Sequence, residues 1–146
     1  MTKLSVNINK IATLRNARGG NVPNVVQFAK DCERFGADGI TVHPRPDERH
    51  ITLKDVYDLA PVVKTEFNIE GYPDARFMEI IRSVKPAQAT LVPDPPHVIT
   101  SNTGWDVTKN KQLLIDIVQE IQSYGVRVSL FLNPEIHQVH EAKLTG

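Results

Sequence analysis

Residues 24–44 read NVVQFAKDCERFGADGITVHP, and this stretch joins a helical pattern to a strand pattern. Its first half places apolar side chains at helical spacing, and Gly36 then supplies the left-handed residue that commonly ends a helix. The apolar positions are Val25, Phe28, Ala29, Cys32 and Phe35. Its second half, GITVHP at 39–44, is rich in β-branched residues. The stretch therefore predicts a helix that leads into a β-strand.

Strand patterns of this kind recur along the chain and alternate with helical patterns. We predict five strands, at residues 4–9, 39–44, 66–71, 88–93 and 126–133. Four positions have residues typical of helix starts. They are the pair Thr52 and Asp55, and the single residues Asp74, Asp106 and Asn133. An apolar stripe follows Asp106, made of Leu113, Leu114, Ile117, Val118 and Ile121. Strands alternating with helices indicate an α/β fold built from βα units, here a single domain over residues 1–146.

Two segments are longer than simple connections. Residues 10–23 follow the first predicted strand, and residues 94–105 follow the fourth. We predict that both are loops. Extra length at the carboxyl ends of parallel strands usually belongs to loops that handle ligands.

Five βα units fit either an open doubly wound sheet or a (β/α)8 barrel. A barrel needs about 250 residues, so this chain would hold about the first five of eight units. Five parallel units alone would expose two unpaired strand edges, which promote aggregation. We therefore expect the N-terminal part of a (β/α)8 barrel, with the C-terminal units missing from this sequence.

Composition and charge exclude several classes of protein. The 146 residues are 40% apolar and carry 17 basic and 17 acidic side chains, as in a globular unit without the basic face that nucleic acids require. No apolar run approaches the roughly 20 residues of a membrane span, and no leader pattern is present. We expect a cytoplasmic protein with no membrane or nucleic-acid partner. Its single cysteine, Cys32, has no disulfide partner and is expected to be a buried thiol.

Polar residues gather where the predicted strands end. In both architectures ligands bind at the carboxyl ends of parallel strands. The polar residues there are Asn7, Asn9, His43, Arg45, Glu70, Thr100 and Asn133. His43 titrates near neutral pH and Glu70 is a carboxylate on the next strand, so the two can act as general acid and base. The alternative is a structural role, in which His43 caps its strand and Glu70 pairs with Arg45.

Two groups of cationic residues are candidates for binding anions. Arg15 and Arg18 precede Gly19 and Gly20, and arginine forks beside glycine backbone amides can hold a phosphate. A solvated basic turn is the alternative for this group. The second group consists of Arg45, Arg49 and His50, offset by Asp47 and Glu48.

Metal chemistry is a weaker alternative at the same strand ends. His43, His50 and Glu70 are residue types that bind zinc. They lack the HxH or HExxH spacing, however, and the nearby arginines disfavour a cation. We therefore expect no metal.

Four motifs together resemble the pyridoxine 5′-phosphate synthase family. They are VNINKIATLRNARGG at 6–20, GADGITVHPRPDERHI at 36–51, FNIEGYP at 67–73 and TLVPD at 90–94. The resemblance runs from Leu4 to the end of the chain, and the first two motifs are long enough to be highly specific.

The resemblance implies a homo-oligomeric (β/α)8 barrel enzyme, a transferase of vitamin B6 biosynthesis. It would join 1-deoxy-D-xylulose 5-phosphate to 3-amino-2-oxopropyl phosphate, giving pyridoxine 5′-phosphate, phosphate and water. Its partners would be these two phosphorylated substrates, with no metal and no organic cofactor. By matching motifs, the resemblance gives acid/base roles to His43 and Glu70. It gives substrate contacts to Asn7 and Arg18 for the amino-ketone, and to Arg45, His50 and Thr100 for deoxyxylulose phosphate.

The chain departs from the family pattern in two ways. Asn9 and Lys10 occupy the positions of an Asp-His pair that contacts deoxyxylulose phosphate in many relatives, so we expect altered substrate contacts there. The family's C-terminal histidine and glycine-rich phosphate loop are also missing from these 146 residues, so we expect little or no synthase activity from this stretch alone. The alternatives are a noncatalytic phosphate-binding fragment and a metal-dependent barrel hydrolase.

Overall fold

A computed structural model of the chain describes residues 2–93 and 103–146. Two compact units are present, Met1–Glu70 and Gly71–Gly146. The first contains β1 (Ser5–Asn7), α1 (Asn9–Arg18), α2 (Val25–Arg34), β2 (Gly39–Val42), α3 (Leu53–Leu59) and most of β3 (Glu66–Gly71). The second contains α4 (Ala75–Val84), β4 (Gln88–Leu91), α5 (Val107–Ser123), β5 (Arg127–Leu130) and α6 (Ile136–Lys143). That residues 1–146 form a single domain stays a prediction.

The strand pairings within each unit are parallel. In the first unit β2 lies between β1 and β3, with Asn7 opposite Thr41 and Thr41 opposite Asn68. In the second unit β4 pairs with β5, and Leu91 lies opposite Leu130. Parallel strands that alternate with helices confirm the predicted α/β class.

The three strands of the first unit have one apolar and one polar face, because successive side chains point to opposite sides. The apolar face carries the buried side chains of Ile40, Val42, Phe67 and Ile69. The opposite face, which we call the polar face, carries Ser5, Asn7, Thr41, Asn68 and Glu70. Its hydroxyl and amide groups bond across the strands. Thr41 Oγ1 lies 2.8 Å from Ser5 Oγ and accepts from Asn68 Nδ2 at 3.2 Å.

The prediction of a loop at residues 10–23 is wrong, because most of this segment is α1. The helix begins without a side-chain cap, and only Ala12 and Arg15 are buried in it. It ends at Gly19, whose φ of 67° is left-handed. Much of the other predicted loop, 94–105, lies outside the described residues.

Local signals placed most of the remaining helix boundaries correctly. Thr52 and Asp55 form a capping box at the start of α3, and Asp106 caps α5. Asn133 is not a cap, however, because its Oδ1 accepts a hydrogen bond from the distant Gly104 N at 2.9 Å. The predicted apolar stripes are correct except at their edges, where Phe35 and Leu113 are exposed.

Trp105 in the second unit and Cys32 in the first illustrate the packing inside each unit. Trp105 is 5% exposed and donates from Nε1 to the carbonyl oxygen of Leu91 at 3.0 Å, which anchors the segment before α5 to β4. Cys32 is half-buried rather than fully buried, and burial raises the pKa of its thiol.

No helix within the described residues is long and apolar enough to cross a bilayer.

The Asp74 cap provides a test of the local structure. Its Oδ1 accepts from the Phe77 backbone N–H at 2.8 Å at the start of α4. We expect Asp74→Ala to lower the free energy of unfolding by about 1 kcal/mol, measured by urea denaturation, because that N–H loses its partner. Asp74→Ser keeps a capping oxygen and should lose only a fraction of this. Equal losses in the two variants would contradict a capping role.

Candidate active site

The carboxyl ends of β1, β2 and β3 lie side by side. Parallel pairing places Asn7 opposite Thr41 and Val42 opposite Ile69. His43 follows β2 directly and Glu70 is the next residue of β3, so the two come level at the same edge of the sheet. The sequence prediction that polar groups converge at this edge is therefore confirmed for the first three strands.

Two asparagines connect these strand ends. Asn7 accepts at Oδ1 from the Asn9 backbone N–H at 3.0 Å, and its Nδ2 donates to Glu70 Oε2 at 3.5 Å. Asn9 in turn accepts at Oδ1 from the backbone N–H of His43 at 2.9 Å. A continuous set of hydrogen bonds therefore joins the start of α1 to the ends of β2 and β3.

Glu70 is a half-buried carboxyl group at the edge of the polar face. Burial raises its pKa above the ordinary value of a glutamate. Its hydrogen bond comes from the neutral amide of Asn7, which offsets little of the cost of charging a buried acid. A carboxyl group of raised pKa can both take up and release a proton closer to neutral pH.

The segment after β2 carries a buried guanidinium. Arg45 is 6% exposed, and its Nε lies 3.6 Å from Asp47 Oδ1. Asp47 also accepts from Arg49 Nε at 2.8 Å, and this hydrogen bond is the main reason that the pKa of Asp47 is lowered. Arg45 therefore pairs with Asp47, whereas Glu70 bonds to Asn7. The alternative in which Glu70 pairs with Arg45 is not the arrangement of these two side chains.

His50 lies beside His43, with 6.0 Å between the two ring centroids. Its Nδ1 accepts from the backbone N–H of Ile51 at 2.9 Å. Burial, followed by the charge of Arg45, lowers the pKa of His50, and Lys10 acts in the same direction. These effects favour the neutral form of the His50 ring.

Arg15 does not fulfil the predicted anion-binding role. The residue is 9% exposed, and its side chain is paired with Asp55, with Arg15 Nη2 2.8 Å from Asp55 Oδ2. Arg18, by contrast, is exposed as the last residue of α1, and Lys10 is exposed in the first turn. Thr100 lies outside the described residues, so its predicted role stays a prediction.

The sequence interpretation missed several polar residues around the site. Asn16 donates to the backbone carbonyl of His50, and Asp55 pairs with Arg15. Ser5, Thr41 and Asn68 lie on the polar face of the strands that carry the site. The alternation of polar residues in SVN, TVH and NIE was the available signal for the second set. Across residues 2–93 and 103–146, no cluster of three or more His, Cys, Asp or Glu side chains is placed to hold a metal ion.

Comparison with known proteins identifies a family. Residues 4–146 match the family described as "Pyridoxal phosphate biosynthesis protein PdxJ". All 146 residues align with proteins named pyridoxine 5′-phosphate synthase. Identity is 61% with that of Bacteroides fragilis (strain YCH46), 58% with that of Porphyromonas gingivalis and 57% with that of Christiangramia forsetii.

The match covers this whole chain but not the whole of its relatives. The chain spans 62% of the length of the Bacteroides fragilis protein, 61% of the Porphyromonas gingivalis protein and 62% of the Christiangramia forsetii protein. The parallel βα units agree with a (β/α)8 barrel, the fold class predicted from the sequence. The chain belongs to the PdxJ family.

Proposed function

We propose that the protein is a pyridoxine 5′-phosphate synthase. It would condense 1-deoxy-D-xylulose 5-phosphate with 3-amino-2-oxopropyl phosphate to give pyridoxine 5′-phosphate, phosphate and water. The observation that carries the proposal is the hydrogen-bonded set at the ends of three strands, in which Asn7 reaches Glu70 and Asn9 holds the His43 backbone. Relatives at 57–61% identity that bear the synthase name support the same reaction.

The proposed reaction requires several proton transfers at one place. An amine must add to a ketone, water and phosphate must leave, and an aromatic ring must close. His43 and Glu70 are the proposed acid/base residues, since an imidazole and a carboxyl of raised pKa can exchange protons near neutral pH. Their level positions on adjacent strands would allow both to reach one bound intermediate.

Two phosphorylated substrates would require cations and neutral donors around the same edge. We assign Asn7 and Arg18 to the amino-ketone phosphate. For deoxyxylulose phosphate we assign Arg45, His50 and Thr100. Holding both substrates at the strand ends would turn a bimolecular condensation into a positioned one.

Asn9 and Lys10 would have different roles at the positions of the Asp-His pair found in many relatives. The side-chain oxygen of Asn9 already accepts from the His43 backbone, which favours a supporting role. Lys10 is exposed, and its charge lowers the pKa of His50, which supports a place near the deoxyxylulose phosphate contacts. We propose that Lys10 contacts that substrate as a fixed positive charge.

The proposal extends to the setting of the protein. We propose that residues 1–146 are the N-terminal part of one barrel domain, and that the enzyme is a cytoplasmic homo-oligomer. Highly charged phosphorylated substrates, which do not cross membranes unaided, support the cytoplasmic location. A single symmetric peak at a multiple of the chain mass in light scattering would support self-association.

The test is an assay of the protein as its gene encodes it. We expect pyridoxine 5′-phosphate, detected by liquid chromatography with mass spectrometry, only when both substrates are present. Product yield should not change with a chelator. Binding of either substrate without product would overturn the proposal in favour of a noncatalytic phosphate-binding protein, and loss of activity on chelation would favour a metal-dependent enzyme.

A further inference from the structure

We propose that Arg15, Asn16 and Asp55 are positioning residues that fix His50 as a neutral ring with its proton on Nε2. The inference deepens the proposed function, because His50 would then donate a hydrogen bond to an oxygen of the bound deoxyxylulose phosphate. None of the three positioning residues needs to touch the substrate. They act on the backbone of the segment that carries His50.

The backbone carbonyl of His50 accepts from two side chains of α1. Asn16 Nδ2 donates to this oxygen at 2.9 Å, and Arg15 Nη2 donates to it at 3.3 Å. Asn16 Nδ2 also lies 3.3 Å from the carbonyl oxygen of Glu48. Helix α1 therefore holds two points of the segment after β2.

The two donors are themselves held in place. Asn16 Oδ1 accepts from Arg15 at both Nε, at 3.0 Å, and Nη2, at 2.9 Å. Asp55 then pairs with the same guanidinium and accepts from the Thr52 N–H and hydroxyl at 2.8 Å each. Because Arg15 and Asp55 are 9% and 6% exposed, water competes weakly for these bonds.

The same segment fixes the ring of His50. Its Nδ1 accepts from the backbone N–H of the next residue, Ile51, at 2.9 Å. A nitrogen that accepts a hydrogen bond carries no proton, so the proton of the neutral imidazole is on Nε2. Fixing the carbonyl of His50 fixes the peptide that follows it, and with it the N–H that Nδ1 needs.

The charges around His50 favour the neutral ring. Arg45, Arg49 and Lys10 disfavour the imidazolium, Asp47 favours it, and the His43 ring lies 6.0 Å away between centroids. With burial added, the neutral ring is favoured overall. A neutral Nε2–H group beside cations can donate to a phosphate or hydroxyl oxygen without adding another positive charge.

The direct test is NMR of the protein labelled with ¹⁵N-histidine, which needs no substrate. We expect the two-bond ¹⁵N–¹H correlations of His50, assigned with His50→Gln, to show an Nε2–H ring with a pKa below the ordinary histidine value of 6.5. In Asn16→Ala, which removes a donor at an exposed position, we expect a mixture of tautomers and a pKa moved up towards 6.5. Asn110→Ala is the matched control, because Asn110 Nδ2 donates to the Asp106 carbonyl in α5 at 2.8 Å.

A kinetic readout links the ring to the substrate. Asn16→Ala should raise KM for deoxyxylulose phosphate about three- to tenfold and change kcat little, because one weak neutral hydrogen bond is lost. An unchanged His50 spectrum in Asn16→Ala, or an Nδ1–H ring in the wild-type protein, would overturn the inference. The expected spectra without any product would leave the positioning intact and refute only the proposed function.

Discussion

Glu70→Gln is expected to lower kcat by about 10²- to 10⁴-fold, because glutamine keeps the shape of the side chain but cannot exchange a proton. The KM values should change little, since the hydrogen-bonding oxygen that faces Asn7 remains. Steady-state kinetics with both substrates would measure this split. Glu66→Gln is the matched control at the opposite end of β3, and it should leave kcat within about twofold. A change in KM alone would give Glu70 a binding role.

Glu70→Gln should also make the protein more stable than the wild type at high pH, and this difference should shrink as the pH falls. The pKa of Glu70 is raised in the folded chain, so the folded state binds more protons than the unfolded state above the ordinary glutamate pKa. Stability from this group is therefore full below the unfolded pKa and is lost as pH rises through the folded pKa. We expect the difference in Tm, variant minus wild type, to be positive at pH 8 and to shrink at pH 4.

Asp55→Ala is expected to lower the free energy of unfolding by about 3–5 kcal/mol, because it leaves the Arg15 guanidinium buried and unpaired. The paired side chains are 11% and 9% exposed, and Asp55 also closes the capping box of α3. Urea denaturation would measure the loss. Asp58→Ala breaks the Lys54–Asp58 pair, whose side chains are 81% and 42% exposed, and should cost less than about 1 kcal/mol.

The Arg15–Asp55 pair also predicts a dependence on acid. Burial alone raises the pKa of Asp55, but the hydrogen bonds from Arg15 and Thr52 outweigh it and lower the pKa. The stabilisation is therefore present above the unfolded pKa of about 3.9 and is lost as pH falls through the folded pKa. The double variant Arg15→Met with Asp55→Leu should regain part of the stability that Asp55→Ala loses at pH 7, because no unpaired charge stays buried, although the bonds from Asp55 to Thr52 are also lost. Equal losses in Asp55→Ala and in the double variant would contradict a role based on the buried charge.

The sequence predicted the elements whose signals are local. The helix starts at Thr52, Asp74 and Asp106 depend on side chains that cap within three residues, and each was correct. Strand positions followed from β-branched runs, although most strands are shorter than predicted. Each of these features is decided by neighbours in the chain, which a single sequence displays.

Features that depend on distant partners escaped sequence reasoning. Helix α1 has no side-chain cap and no apolar stripe to announce it in the sequence. Its buried Arg15 pairs with Asp55, 40 residues further along the chain. Asn133 looked like a cap but bonds to Gly104, 29 residues earlier. At the site, the convergence of Asn7, His43 and Glu70 could be predicted from parallel strand ends alone.

The polar face has a consequence for how accurately the strands align during folding. In an apolar interior, side chains of similar volume can exchange places at modest cost. The hydroxyl of Thr41 must instead meet both Ser5 and Asn68. A shift of β2 by one residue would replace that hydroxyl with the apolar side chain of Ile40 or Val42. Ser5 and Asn68 would then lose their hydrogen bonds to Thr41. A sheet with β2 misaligned would therefore be less stable, and the strand ends that carry His43 and Glu70 would not lie level.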